Sequence, residues 1–100
     1  MRKEKQMTGM KINICGIPYK VKEVPTIDEE FEGIVQGKII YRKCLIKIRK
    51  DLPKKLKKSV LYHEILHGIL MQLGYSELSE NETLVQGLSN AIYQMFELKE

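Results

Sequence analysis

Both histidines of this chain lie in one short motif, His63-Glu64-Ile65-Leu66-His67. Residues four positions apart on an α-helix lie one turn above each other, so His63 and His67 can present two imidazole nitrogens to one metal ion. Glu64 lies one step further round the helix, where its carboxylate can reach a water molecule bound to that ion. The motif therefore predicts one Zn²⁺ ion per chain, bound by His63 and His67, with Glu64 as the catalytic base.

The motif also has a purely structural interpretation, in which His63 and His67 are hydrogen-bonded side chains of the core. The helix around them is otherwise apolar. Burial of two histidines and a glutamate costs free energy unless all three have partners, and a metal ion would provide partners for all of them. This argument favours metal binding.

A catalytic zinc site needs a third protein ligand, and the composition limits the choice. No further histidine is present and no aspartate follows Asp51. The downstream candidates are therefore glutamates, namely Glu77, Glu80, Glu82, Glu97 and Glu100. The last two lie about 20 Å or more from the start of the final predicted helix, at 1.5 Å per residue.

Glu82 is the favoured third ligand, because it lies in the first turns of the last predicted helix, next to its apolar stripe. Glu80 points about 160° away from Glu82 on a helix, so only one of them can face the metal. Alternatively, Ser79-x-x-Glu82 is a capping box, in which Glu82 binds the N-terminus of its own helix.

Alternating apolar residues predict two strand pairs, a hairpin within residues 10–22 and a second pair at 35–41 and 44–49. Asp51 is the candidate N-cap of a helix that Gly74 ends, and Ser79 opens a second helix. We predict an α+β fold, with a small antiparallel sheet of about three to four strands packed on two antiparallel helices. Residues 1–9 are expected to form a flexible tail, and residues 10–100 a single domain.

The composition is that of a globular chain, with 43% hydrophobic and 30% charged residues. No apolar run reaches the length of a membrane span, and no secretory signal is visible, so we expect a cytoplasmic protein with no membrane partner. Cys15 and Cys44 show no metal-binding spacing and are expected to be reduced.

Positive charge is concentrated in the first part of the chain. Residues 1–58 contain sixteen Lys or Arg against seven Asp or Glu, whereas residues 59–100 contain one Lys against six Glu. The densest run, residues 47–58, carries seven cations and one anion. An alternative function is therefore a non-catalytic zinc-binding scaffold whose basic surface binds nucleic acid or an acidic partner. The run can equally be a solvated face.

The segments Leu61-Tyr-His-Glu-Ile-Leu-His-Gly68 and Glu80-Asn-Glu82 resemble those of gluzincin-type zincins, and more closely the small ImmA/IrrE-like metallopeptidases of phages and mobile elements. The resemblance implies a minimal zincin-like fold, zinc bound by His63, His67 and Glu82, and Glu64 as the general base. It also implies hydrolysis of a peptide bond in a protein substrate such as a repressor.

Two further expectations concern substrate binding and catalysis. No third histidine is available to stabilise an oxyanion, so either a tyrosine, such as Tyr62, Tyr75 or Tyr93, serves this role or no residue does. We expect the substrate to pair in extended form with an edge strand at residues 44–49.

Overall fold

The computed structural model describes residues 7–27 and 35–97. Its elements are, in chain order, β1 (Lys11–Ile14), β2 (Ile17–Val24), β3 (Gly37–Ile40), a 3₁₀ turn (Tyr41–Lys43), β4 (Leu45–Arg49), α1 (Lys54–Gln72), α2 (Ser76–Ser79) and α3 (Glu82–Glu97). Strands come first and helices follow, and two of the helices are long. The predicted α+β fold class is confirmed, with a short additional helix, α2, between the two long ones.

The four strands form one mixed sheet in the order β1-β2-β4-β3. The pairs β1/β2 and β3/β4 are antiparallel, as the two predicted strand pairs require. However, β2 and β4 run parallel, with Val21 opposite Ile46. The prediction of an entirely antiparallel sheet was therefore wrong, because alternation along a chain identifies a strand without identifying its neighbour. β3 is an edge strand of this sheet, and β4 lies between β3 and β2.

The alternation within each strand gives the sheet two different faces. The inner face carries the most deeply buried side chains of the sheet, namely Ile14, Tyr19, Val21, Ile46 and Ile48. They form one core cluster with Val60 and Leu61 of α1. The helix lies close to the sheet at Gly68, where an added Cβ would lie 2.8 Å from Cδ1 of Ile14. Helix α1 is thus the central helix, as predicted.

Part of the predicted flexible tail is attached to the sheet. Met7 is buried, and its backbone N–H donates to a Glu23 carboxylate oxygen at 2.7 Å. The N–H of Gly9 donates to the Val21 carbonyl at 3.0 Å. Residues 7–9 are therefore packed on the domain, and residues 1–6 of the predicted tail lie outside the described part of the chain.

The helix ends differ from the predicted ones in two places. Helix α1 begins at Lys54 after Pro53 without a side-chain cap, and Asp51 instead pairs with Arg49 at 2.7 Å. Gly74, with φ +89°, follows the end of α1 as predicted. Ser79 ends α2 and does not open the last helix. The amide N–H of Leu84 donates to Oδ1 of Asn81 at 3.0 Å, so Asn81 caps α3.

Candidate metal centre

His63 and His67 lie on neighbouring turns of α1 and point in the same direction. Their Nε2 atoms are 3.2 Å apart, and their ring centroids are 4.8 Å apart. Both side chains are mostly buried, with 19% and 13% of their surfaces exposed. The local helix geometry therefore brings the two imidazoles together as the spacing predicts.

Glu82 reaches both histidines from the first residue of α3. Its Oε1 lies 3.0 Å from Nε2 of His63, and its Oε2 lies 3.3 Å from Nε2 of His67. The carboxylate thus faces α1, and the capping-box interpretation of Glu82 is wrong. Within residues 7–27 and 35–97, His63, His67 and Glu82 form the one group of acidic, His or Cys side chains close enough to share an ion. Glu80 is exposed and is not part of it.

Ser79 holds His67 from the side opposite to Glu82. Its hydroxyl donates to the backbone carbonyl of His67 at 3.3 Å and lies 3.1 Å from Nδ1 of the same residue. When the hydroxyl proton is directed at the carbonyl, the Ser79 oxygen can accept the Nδ1 proton of His67. That tautomer leaves the Nε2 lone pair available for a metal ion. Ser79 itself is buried.

Hydrogen bonds alone do not satisfy this cluster when both histidines are neutral and His67 carries its proton on Nδ1. His67 Nε2 and the two Glu82 oxygens are then all acceptors, and at most one proton, on His63 Nε2, lies among them. A cation placed among the acceptors would satisfy all of them. Two atoms bound tetrahedrally to one zinc ion lie about 3.4 Å apart. The two imidazole Nε2 atoms are 3.2 Å apart, close to this value, and one Glu82 oxygen faces each of them, at 3.0 and 3.3 Å. With one ligand atom taken from each residue, all three lie within 4.8 Å of one another, so the group could hold a metal ion.

Glu64 lies beside the group on α1 and is not part of it. Only 7% of the residue is exposed, and no hydrogen-bond partner for its carboxylate is found among the described residues. Burial, reinforced by the negative charge of Glu82, raises the pKa of Glu64 to about 7. The carboxylate borders an open cleft of about 250 Å³, which is also lined by Gln36, Gly37, His63 and Gln86.

Gly37 allows the strand β3 to lie directly against Glu64. A Cβ at this position would overlap Cγ1 of Val60 and would lie 3.3 Å from Oε2 of Glu64. Sequence reasoning did not single out Gly37. A glycine inside a strand often marks a place where another part of the protein packs closely against the backbone. The position of Gly37 within the predicted strand at 35–41 could therefore have indicated this contact.

Tyr41 is a second residue that sequence reasoning missed. Burial raises the pKa of its hydroxyl, an interaction with Ser79 lowers it, and the charges of Glu64 and Glu82 raise it further.

Two of the predicted oxyanion tyrosines are engaged in packing. Tyr62 and Tyr93 pack with ring centroids 5.5 Å apart. Tyr75 lies beyond the end of α1 and is exposed. None of these three tyrosines is joined to the histidines by a hydrogen bond.

Comparisons of the chain with models of known protein families, with curated proteins and with solved structures give no match. Among the described residues, no helix is both long enough and apolar enough to cross a membrane. The metal centre is therefore interpreted from its own geometry.

Proposed function

We propose that the protein is a zinc-dependent metallopeptidase. The observation that carries this proposal is the convergence of His63, His67 and Glu82 beside a buried Glu64 that borders an open cleft. Two histidines and one carboxylate form a common ligand set of catalytic zinc. A zinc ion bound there would supply Lewis acidity, which activates water and polarises a carbonyl group.

Glu64 acts as the general base in this proposal. Its carboxylate takes a proton from the attacking water and delivers it to the nitrogen of the leaving amine. The absence of a hydrogen-bond partner among the described residues leaves the carboxylate available for this transfer. Gly37 and the core side chains around it hold Glu64 in place from the strand side.

The substrate would bind in extended form along β3. The predicted site at residues 44–49 was wrong in one respect, because β4 pairs with both β2 and β3 and so has no open edge. β3 is the edge strand next to β4, and its Gly37 borders the cleft. Strand addition to β3 would therefore place a peptide bond next to Glu64.

The resemblance of the motif to ImmA/IrrE-like metallopeptidases supports a protein substrate such as a repressor of a mobile element. Cys15 and Cys44 are both free thiols, Cys15 exposed and Cys44 partly buried. The cytoplasm, where thiols are kept reduced, is the location that we propose for this activity.

The substitution Glu64→Gln tests the proposed catalytic role. It keeps the shape of the side chain and removes its basicity, so we expect loss of peptide hydrolysis by a factor of about 100 or more, with zinc still bound. Zinc content and cleavage of a mixture of peptides of varied sequence, followed by mass spectrometry, measure the two properties separately.

Glu80→Gln is the matched control, because Glu80 is an exposed glutamate close to the centre. It should retain both properties. Hydrolysis by the Glu64→Gln variant at the rate of the parent would disprove the mechanism. Zinc binding without hydrolysis in the parent would indicate the scaffold function.

A further inference from the structure

The sheet has an outer face, turned away from α1, whose charged side chains are all cationic. The strand register places eleven side chains on it. Six are basic, namely Lys11, Lys20, Lys22, Lys38, Lys47 and Arg49, and the others are Asn13, Pro18, Val24, Ile40 and Leu45. Arg49 is paired with Asp51 at 2.7 Å, so the five lysines carry the positive charge of the face. We call this surface the lysine face. Glu23, the one acidic residue of the four strands, points to the inner side and binds Lys57.

The lysines of this face lie directly opposite one another on neighbouring strands. Lys22 is the partner of Lys47, and Lys47 is also the partner of Lys38, so one row of cations crosses three strands. Lys11 is the partner of Lys20 in the adjacent hairpin. Neighbouring strands are about 4.8 Å apart, and like charges at opposed positions destabilise a sheet. A bound polyanion would offset this repulsion at the pairs Lys22–Lys47 and Lys11–Lys20.

The composition of the face distinguishes between kinds of polyanion. No Phe, Trp or Tyr lies on it, so it has no platform on which unpaired bases could stack. Among the described residues, the large hydrophobic side chains that are exposed lie on the helices, in the loop after α1, or at Met10, and none lies on this face. The apolar members of the face, Val24, Ile40 and Leu45, are only partly exposed, so none is a protruding anchor of the kind that membrane binding uses. Flexible point charges alone match the phosphates of a duplex.

We propose that the lysine face binds the phosphate backbone of double-stranded nucleic acid without sequence preference. The face lies on the side of the sheet away from α1, so this inference does not depend on the metal centre or on peptidase activity. The structure also shows that the cations of the basic run at residues 47–58 do not all lie on this face. Lys47 and Arg49 belong to the face, Lys54 and Lys55 begin α1, and Lys57 is paired with Glu23.

Fluorescence anisotropy of a labelled short DNA duplex, titrated with the full chain at several salt concentrations, tests the proposal. Contacts from about four lysines predict that affinity falls on the order of 100-fold between 50 and 200 mM salt. The double variant Lys22→Gln/Lys47→Gln should reduce the slope of log affinity against log salt by about two. Circular dichroism confirms that the variant is folded, which the exposed position of Lys22 favours.

Lys54→Gln/Lys55→Gln is the matched control, because it removes the same charge from two exposed lysines at the start of α1. It should leave the slope unchanged. An equal reduction by the two double variants would overturn the proposal, as would absence of duplex binding at 50 mM salt. Binding to vesicles of anionic phospholipid, without binding to the duplex, would assign the face to a membrane and would also overturn it.

Discussion

The hydroxyl of Ser79 connects the ring of His67 to the backbone of its own helix. It lies 3.1 Å from Nδ1 and can accept the Nδ1 proton, in the tautomer that leaves the Nε2 lone pair directed at Glu82 and His63. Partners of this kind orient a ligating histidine and increase its basicity. The proposed zinc affinity therefore depends on a residue that does not contact the ion.

Ser79→Ala should weaken zinc binding about 10- to 100-fold, since the Nδ1 proton loses its acceptor. Competition with a chromophoric chelator measures this affinity. Ser76→Ala is the control, because Ser76 is an exposed serine on the same short helix. Equal zinc affinities for the parent and Ser79→Ala would show that the hydroxyl has no orienting role.

At the residue scale, the sequence predicts those side-chain contacts that the geometry of a single helix determines. His63 and His67 meet because they are one turn apart, and Glu82 is predicted because few other ligands are available downstream. Ser79, Gly37 and Tyr41 approach the histidines or Glu64 from other elements. Their positions depend on tertiary packing, and no local pattern gives the distance from Ser79 to His67.

Glu23 joins three segments of the fold at one buried carboxylate. It accepts the Met7 N–H and the Lys57 ammonium, each at 2.7 Å, and so ties the N-terminal segment and α1 to β2. Burial alone would raise the pKa of Glu23, but the Lys57 hydrogen bond, the Met7 N–H and nearby lysine charges outweigh it and lower the pKa. The ionised form therefore stabilises the fold.

Glu23→Gln should lower the free energy of unfolding by about 2 kcal/mol at pH 7, because a charged hydrogen bond is lost. Since the folded-state pKa is lowered, the contribution is fully present above the ordinary carboxyl pKa of about 4.3 and is lost as the pH falls through the folded-state value. The difference between parent and variant should shrink from pH 7 to pH 3.

Urea unfolding in the presence of a chelator measures this difference without interference from metal. Glu77→Gln is the control, because Glu77 is exposed on α2 and has no resolved partner. A difference that stays constant between pH 7 and pH 3 would contradict the assigned role of Glu23.

At the element scale, element types are more predictable than their ends and neighbours. The alternating residues around Ile46 predict β4, but the parallel pairing with β2 depends on where β3 lies in the sheet. Residues 76–81 contain three possible helix caps, namely Ser76, Ser79 and Asn81. The contact of Ser79 with His67 removes it from capping, and Asn81 takes that role.

At the scale of the whole molecule, the fold places the His63–His67–Glu82 group and the lysine face on different sides of the sheet. The candidate metal centre lies between α1 and α3, where His63 and His67 meet Glu82. The lysine face lies on the other side of the sheet, with no carboxylate among its members. A ligand that binds only the folded state stabilises it, so zinc would hold the two helices together. The global charge division was visible in the sequence, whereas the lysine rows required the strand register.

Zinc bound per chain, in the parent and in the Glu82→Gln and Glu80→Gln variants, tests the central claim most directly. Elemental analysis after incubation with zinc and removal of the free ion provides the value. We predict about one ion per chain for the parent and for Glu80→Gln, and a clear reduction for Glu82→Gln, which loses one of three ligands. A parent chain without zinc, or equal zinc contents in the two variants, would contradict the proposed centre.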